Sequence, residues 1–133
     1  MIPPLPEDVA AAISTYPASA QERLIELRLC IHSEAARQDV GPLIETLKWG
    51  EPAWLTKKPK TGSTIRIAWK EKVGGDLQFL VNCKTNMIEQ WRAEFPNLIY
   101  AGNRAIHLPL ADPLPMATLR LCIAQALTYH TKV

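Results

Sequence analysis

The chain has 133 residues, of which 47% are hydrophobic and 21% charged, with a formal net charge of +2. These are globular proportions that exclude a disordered chain, and one domain of this length buries roughly two-thirds of its unfolded surface. The positive excess is too small and too dispersed to mark a dedicated nucleic-acid binder, so nucleic acid is not an expected partner.

Met1-Ile2-Pro3-Pro4-Leu5-Pro6 lacks a basic n-region and an apolar h-region, so no secretory signal is expected. No apolar run reaches the roughly 18 residues of a membrane span. Cys30, Cys83 and Cys122 are odd in number, far apart and set among apolar residues. Buried, reduced thiols in a cytosolic protein fit that pattern better than a disulfide framework or a zinc site.

Pro6, Glu7 and Asp8 predict a helix start, with a proline where its missing N–H costs nothing and acids facing the dipole. That helix stops before Tyr16-Pro17. Ser19 and Glu22 have the spacing of a capping box, and Leu24, Leu27, Ile31 and Ala35 then repeat with helical period to about Arg37. Gly41-Pro42 ends the pattern. Leu43 to Leu55 reads as one irregular strand, and Pro52 makes it an edge strand or one bulged near Gly50. Lys57-Lys58-Pro59-Lys60-Thr61-Gly62 is a basic loop.

Thr64 to Lys70 alternates, with Ile65, Ile67 and Trp69 on one face and Thr64, Arg66, Ala68 and Lys70 on the other. A turn at Gly74-Gly75 leads to a strand with Leu77, Phe79, Val81 and Cys83 on its apolar face. Thr85 suits the N-cap of a helix turning Ile88, Trp91 and Phe95 inward, which Pro96 ends. Leu98–Ala101 and Arg104–Leu108 flank a two-residue turn at Gly102-Asn103. After Asp112-Pro113-Leu114-Pro115 a last helix carries Leu119, Ile123, Ala126 and Leu127 inward. Residues 1–133 thus read as a single α+β domain. It has an antiparallel sheet of about five strands, N-terminal helices, one inserted helix and a C-terminal helix.

Chemistry-bearing patterns are sparse. Cys30 and His32 are two apart on a helix and point about 200° apart, so they cannot chelate one ion. His107 on a strand and His130 near the last helix's C-terminus have no partner at metal spacing. Glu22 and Glu26 share a helix face, and with Glu7 and Asp8 they form an acidic ridge suited to a hard cation, although Arg23 and Arg28 interrupt it. There is no Gly-x-Ser-x-Gly elbow, and no cysteine sits in a polar setting near a histidine. An enzyme is the less favoured class, and no cofactor is expected.

The basic and aromatic residues are more informative. Arg66 projects from a strand's polar face and Arg104 opens a neighbouring hairpin arm. If those strands pair, two guanidiniums converge where a carboxylate or phosphate is bound bidentately. The competing reading leaves them flanking a helix-free, solvated sheet face or pairs them internally with Glu51, Glu71 or Asp76. Trp49 and Trp54 fall on opposite faces of an unbroken strand, so one belongs to the core. The other is half-exposed, or drawn inward by a kink at Gly50-Glu51-Pro52.

In Lys48-Trp49-Gly50-Glu51-Pro52 and in Ile106-His107-Leu108-Pro109 followed by Asp112-Pro113-Leu114-Pro115, the chain resembles the YdhG-like family of bacterial domains of unknown function. One branch also shares Thr64-Ile65-Arg66, Cys83-x-Thr85, Gly102-Asn103-Arg104-Ala105-Ile106 and Ala126-Leu127-Thr128-Tyr129-His130. The likeness runs from about Ala18 to Lys132 and implies a compact α+β domain. Some relatives are described as frataxin-like iron chaperones, a role that rests on acidic surface residues. Here the acids are interleaved with arginines and the net charge is positive. The leading expectation is a cytosolic, non-catalytic binding module for a small anionic ligand or a protein segment. Lys48, Trp49 and Trp54 would form a wall, and Arg66, Asn103 and Arg104 would donate to the anion. Iron binding through Glu7, Asp8, Glu22 and Glu26 is the alternative.

Overall fold

Local periodicity becomes four helices and six strands among residues 2–71 and 75–131, which the computed structural model describes. In chain order these are α1 (Glu7–Ser14), α2 (Ala18–Arg37), β1 (Leu43–Lys48), β2 (Glu51–Thr56), β3 (Ile65–Lys70) and β4 (Asp76–Leu80). Then come α3 (Met87–Glu94), β5 (Ile99–Ala101), β6 (Ala105–Leu108) and α4 (Met116–Leu127). The strands form one antiparallel sheet in the order β1-β2-β3-β4-β6-β5. The α+β class holds, with six strands where about five were expected. No helix among the described residues is long and apolar enough to cross a membrane.

The four helices meet the sheet on one face. Leu24, Leu27 and Ile31 of α2, Trp91 of α3 and Leu119 and Ile123 of α4 are fully buried against Ile65, Ile67, Leu77 and Phe79. Removing each such side chain from water contributes about 1.5–3 kcal/mol. Trp91 packs 6.3 Å from the Phe79 ring, and its indole N–H donates to Gln125 of α4 at 2.7 Å, so its one polar atom is satisfied inside the core. A separate small cluster, Ala68, Leu80 and Ala105 with Ala101 beside it, lies on the opposite face and includes no helical residue. That face is bare.

Several expectations change. Leu43–Leu55 is not one strand but the hairpin β1–β2, turned at Trp49-Gly50 with Lys48 opposite Glu51. Pro52 therefore sits in an interior strand. Its nitrogen faces β3, whose pairing with β2 covers only Ala53 and Trp54, so no ladder bond is lost. The Ser19–Glu22 capping box does not form, because Pro17 starts α2 and places Ser19 already inside the helix. Thr85 does not cap α3; its hydroxyl donates to the Asn82 carbonyl at 2.7 Å, and the helix begins at Met87. Residues Gly102 to Arg104 form a three-residue connection, since Ala101 pairs with Ala105, and the Arg104 carbonyl continues the β4 side of the ladder by accepting Val81 N–H at 2.7 Å. Gly74 lies outside the described residues. Cys30 and Cys122 are buried, and burial pushes the Cys122 thiol up to about 12, but Cys83 is exposed rather than buried. It follows the end of β4, where the strand's alternation no longer applies.

The basic loop before β3 is anchored. A Cβ on Gly62 would meet the Leu127 carbonyl oxygen at 2.5 Å, so only glycine permits this approach to the end of α4. Ser63 N–H donates to Ala126 and His130 N–H to Thr61 in the same contact.

One carboxylate ties the helix layer to the hairpin. Glu45 of β1 accepts two hydrogen bonds from Arg28 of α2, at 2.6 and 2.7 Å, and one from the Trp54 indole at 2.6 Å. His32 Nε2 lies 3.3 Å from the same carboxylate but is misaligned for a hydrogen bond. The Arg28 guanidinium also donates to the Pro3 carbonyl, which pins the N-terminal lead-in. Burial raises the Glu45 pKa, but the bonds from Arg28 and Trp54, with a weaker pull from His32, outweigh it and hold the carboxyl below its usual range. Since the folded pKa lies below the unfolded value of 4.5, the associated stability is complete above that value. It is lost as pH falls through the folded pKa. The Arg28 and Glu45 side chains are only 8% and 5% exposed. Glu45→Gln should therefore cost about 3–5 kcal/mol at pH 7 by stranding the guanidinium. The gap from the parent chain should narrow below the unfolded value. Urea melts across pH 3–7 check this, and a loss under about 1 kcal/mol at neutral pH, the scale of a surface ion pair, would contradict it.

Candidate functional site

Strand alternation and register decide what the bare face presents. Ala53, Arg66, Leu80, Ala105 and Ala101 lie in one row across β2, β3, β4, β6 and β5. Four of these five side chains are small or apolar, so Arg66 rises from a low floor. Glu51, at the start of β2, takes Arg66 Nη1 at 2.5 Å and Lys70 Nζ at 3.4 Å. The internal pairing weighed for Arg66 is thus present with Glu51. It orients the guanidinium and cancels one of the two charges.

Two adjoining clefts open on this face. One of about 310 Å³ is lined by Lys48, Trp49, Thr64, Arg66, Asn82 and Arg104, with Val81 and Cys83. The other, of about 530 Å³, shares Arg66, Arg104 and Cys83 and adds Lys70, Gln78 and Asn103. Among the described residues their linings hold four cations and no acid. Arg104 is exposed and makes no ion pair among the described residues. Such an arrangement offers charge-assisted donors to phosphate or carboxylate oxygens, with Thr64, Asn82 and Asn103 as neutral partners.

Trp49 stands at the tip of the β1–β2 hairpin and is 89% exposed. Its φ is +57° and that of Gly50 is +76°, the left-handed pair that a two-residue hairpin of type I′ requires. Asn, Asp or Gly is favoured there, and a left-handed bulky residue costs roughly 1–2 kcal/mol. Neither backbone geometry nor packing selects an indole at this position.

Of the residues expected to form the site, Lys48, Trp49, Arg66, Asn103 and Arg104 line these two clefts. Trp54 does not. It is 0% exposed, on the helix-covered face, with its N–H on Glu45, because the turn at Trp49-Gly50 puts the two tryptophans on different parts of a hairpin rather than along one strand. Thr64, Asn82, Gln78 and Lys70 join the lining. Their signal was register: Thr64 extends β3 and Asn82 follows β4, positions that meet once the strands pair.

Glu7 and Asp8 are exposed in the first turn of α1, and Glu22 and Glu26 are exposed on α2, where Glu26 lies 3.7 Å from Arg23. No group of three or more His, Cys, Asp or Glu side chains among the described residues could hold a metal ion. The acidic ridge does not gather into a site. His107 lies at a separate cavity of about 350 Å³ between the α3–β5 connection and the proline-rich segment before α4. Its Nε2 is 3.1 Å from Asp76 Oδ2, and the other Asp76 oxygen accepts Leu110 N–H, so this pair fastens the end of β6.

The chain matches no protein-family model, no curated protein and no solved structure.

If Trp49 is kept against the preference of its turn, Trp49→Asn should stabilise the fold by about 1 kcal/mol. Thermal or urea melts read this directly, and destabilisation would show that the indole contributes to folding.

Proposed function

We propose that this chain is a binding module whose ligand is anionic and is held on the helix-free face of the sheet. The observation that carries this is Trp49, an indole 89% exposed in a left-handed turn position, beside Lys48, Arg66 and Arg104 in one cleft. An exposed indole at a strained backbone position has no packing role in the fold, which points to function. The element order agrees with the α+β domain that the YdhG-like resemblance implies, and we assign the chain to that kind of domain.

Binding is favoured over catalysis by how the reactive groups are used. Cys30 and Cys122 are buried, and burial raises both thiols, which makes poor nucleophiles of them, while the exposed Cys83 has no histidine or carboxylate beside it in the linings of the two clefts to act as its base. The His107 ring is engaged by Asp76. A cytoplasmic setting suits three unpaired cysteines.

The test is calorimetric titration with tripolyphosphate, a compact anion without an aromatic part. Saturable binding is expected. Arg104→Ala should weaken it about tenfold, since a hydrogen bond to a charged group contributes about 1.5–3 kcal/mol. Arg66→Ala should do the same while freeing Glu51 to repel the anion. Unchanged affinity in both variants would remove this face as the site.

A further inference from the structure

The two adjoining clefts extend further than one small anion fills. They share Arg66 and Arg104 and run from Trp49 at the hairpin tip to Asn103 in the β5–β6 connection. From β2 through β3 and β4 to β6 is three strand spacings, about 14 Å. At about 3.4 Å per stacked nucleotide this is the length of roughly four. A third cleft of about 500 Å³ begins at Cys83 and Asn103, but it sets Glu89 beside Lys84 and Arg92, and Arg92 is already bonded to the Gly102 carbonyl, so the cationic track ends at Asn103.

Three kinds of anionic ligand suit such a track differently. A small metabolite binds tightly when most of its surface is enclosed, which clefts lying open on a sheet do not provide. An acidic peptide needs an apolar pocket for an anchoring side chain. The apolar floor here, Leu80 with Ala68 and Ala105, is already 98–99% covered and has no surface to give. A single-stranded nucleic acid needs a row of cations for its backbone and a free aromatic face for a base. Both are present and adjacent.

Resting on the anion-binding reading above, we propose that this face binds single-stranded nucleic acid. Trp49 stacks on an unpaired base, and Lys48, Arg66 and Arg104 take the phosphates. Duplexes are discriminated against, because their bases are stacked on one another and leave no face for the indole. The chain-wide charge of +2 conceals this surface, since it averages Lys48 and Arg104 against Glu7, Asp8, Glu22 and Glu26 in the helices, while on the face itself Glu51 offsets only one of Arg66 and Lys70.

The experiment is fluorescence anisotropy with labelled DNA and RNA oligomers of about ten nucleotides. An abasic sugar-phosphate oligomer, a duplex and poly-glutamate of matched length serve as competitors. The single strand should bind about tenfold or more tighter than its abasic counterpart, the scale of one stacked base. Trp49→Ala should abolish that preference, and Arg104→Ala should weaken both oligomers alike. Because Trp49 is exposed, its variant should melt no lower than the parent, which separates binding from folding. With Lys48 and Arg104 neutralising phosphates and Arg66 already paired with Glu51, log affinity should fall against log salt with a slope of about −1.4. Equal affinity for the abasic oligomer, or tighter binding of duplex or poly-glutamate, would overturn the nucleic-acid assignment while leaving an anion site. If neither these ligands nor tripolyphosphate bind, both readings fail.

Discussion

The Glu45 carboxylate is the interaction on which the arrangement depends. Three donors from two layers converge on it: Arg28 of α2 twice, and the Trp54 indole across the β1–β2 ladder. Removing a carboxylate from water is costly, and it is tolerated only when its lone pairs are filled and its charge opposed. Those conditions are met by groups 17 and 9 residues away in the chain. The bond set therefore forms only when α2, β1 and β2 are all in place, and it fixes the hairpin against the helix layer.

That fixation divides the hairpin between two tasks. On its covered face Glu45 and Trp54 belong to the interior, with Trp54 wholly buried. On its bare face and at its tip Lys48, Trp49 and Glu51 meet Arg66 of β3. A rigid hairpin lets an exposed side chain act as a platform, because little further ordering is needed on binding. The same logic applies to Arg66, whose guanidinium is already held by Glu51. Arg104 and Lys48 make no ion pair among the described residues, and their exposure leaves both able to reach a ligand. Stability and binding thus draw on opposite sides of the same element.

Much of the fold was legible because its signals are local. Leu24, Leu27, Ile31 and Ala35 repeat with the helical period and are all buried. Ile65 and Ile67 alternate with Arg66, and the sheet respects that alternation. The hairpin was not legible, because a tryptophan occupies the turn slot where Asn or Asp would have announced it. For the same reason Trp49 and Trp54 could not be sorted: period two placed them on opposite faces but left open which was inside. The convergence of Arg66 with Arg104 required the order β3-β4-β6, which no local pattern encodes. Glu45 looked like an ordinary polar residue of a strand, since its partners are distant in sequence. The false caps at Ser19 and Thr85 are instructive in another way. Each had the right residue at the right spacing, but Pro17 and the Asn82 turn had already fixed where the helix begins.

The most direct measurement follows the four indole N–H resonances by NMR while an unlabelled single-stranded oligonucleotide is titrated in. Three of them are engaged inside the protein: Trp54 with Glu45, Trp69 with the Gly75 carbonyl, and Trp91 with Gln125. Trp49 alone stands in solvent at 89% exposure. The expected result is a saturable shift of the Trp49 indole, accompanied by the amides of Arg66 and Arg104, with the other three indoles unmoved. Saturable shifts confined to the helix layer, or a titration that leaves Trp49 in place, would contradict the assignment of this face as the binding site.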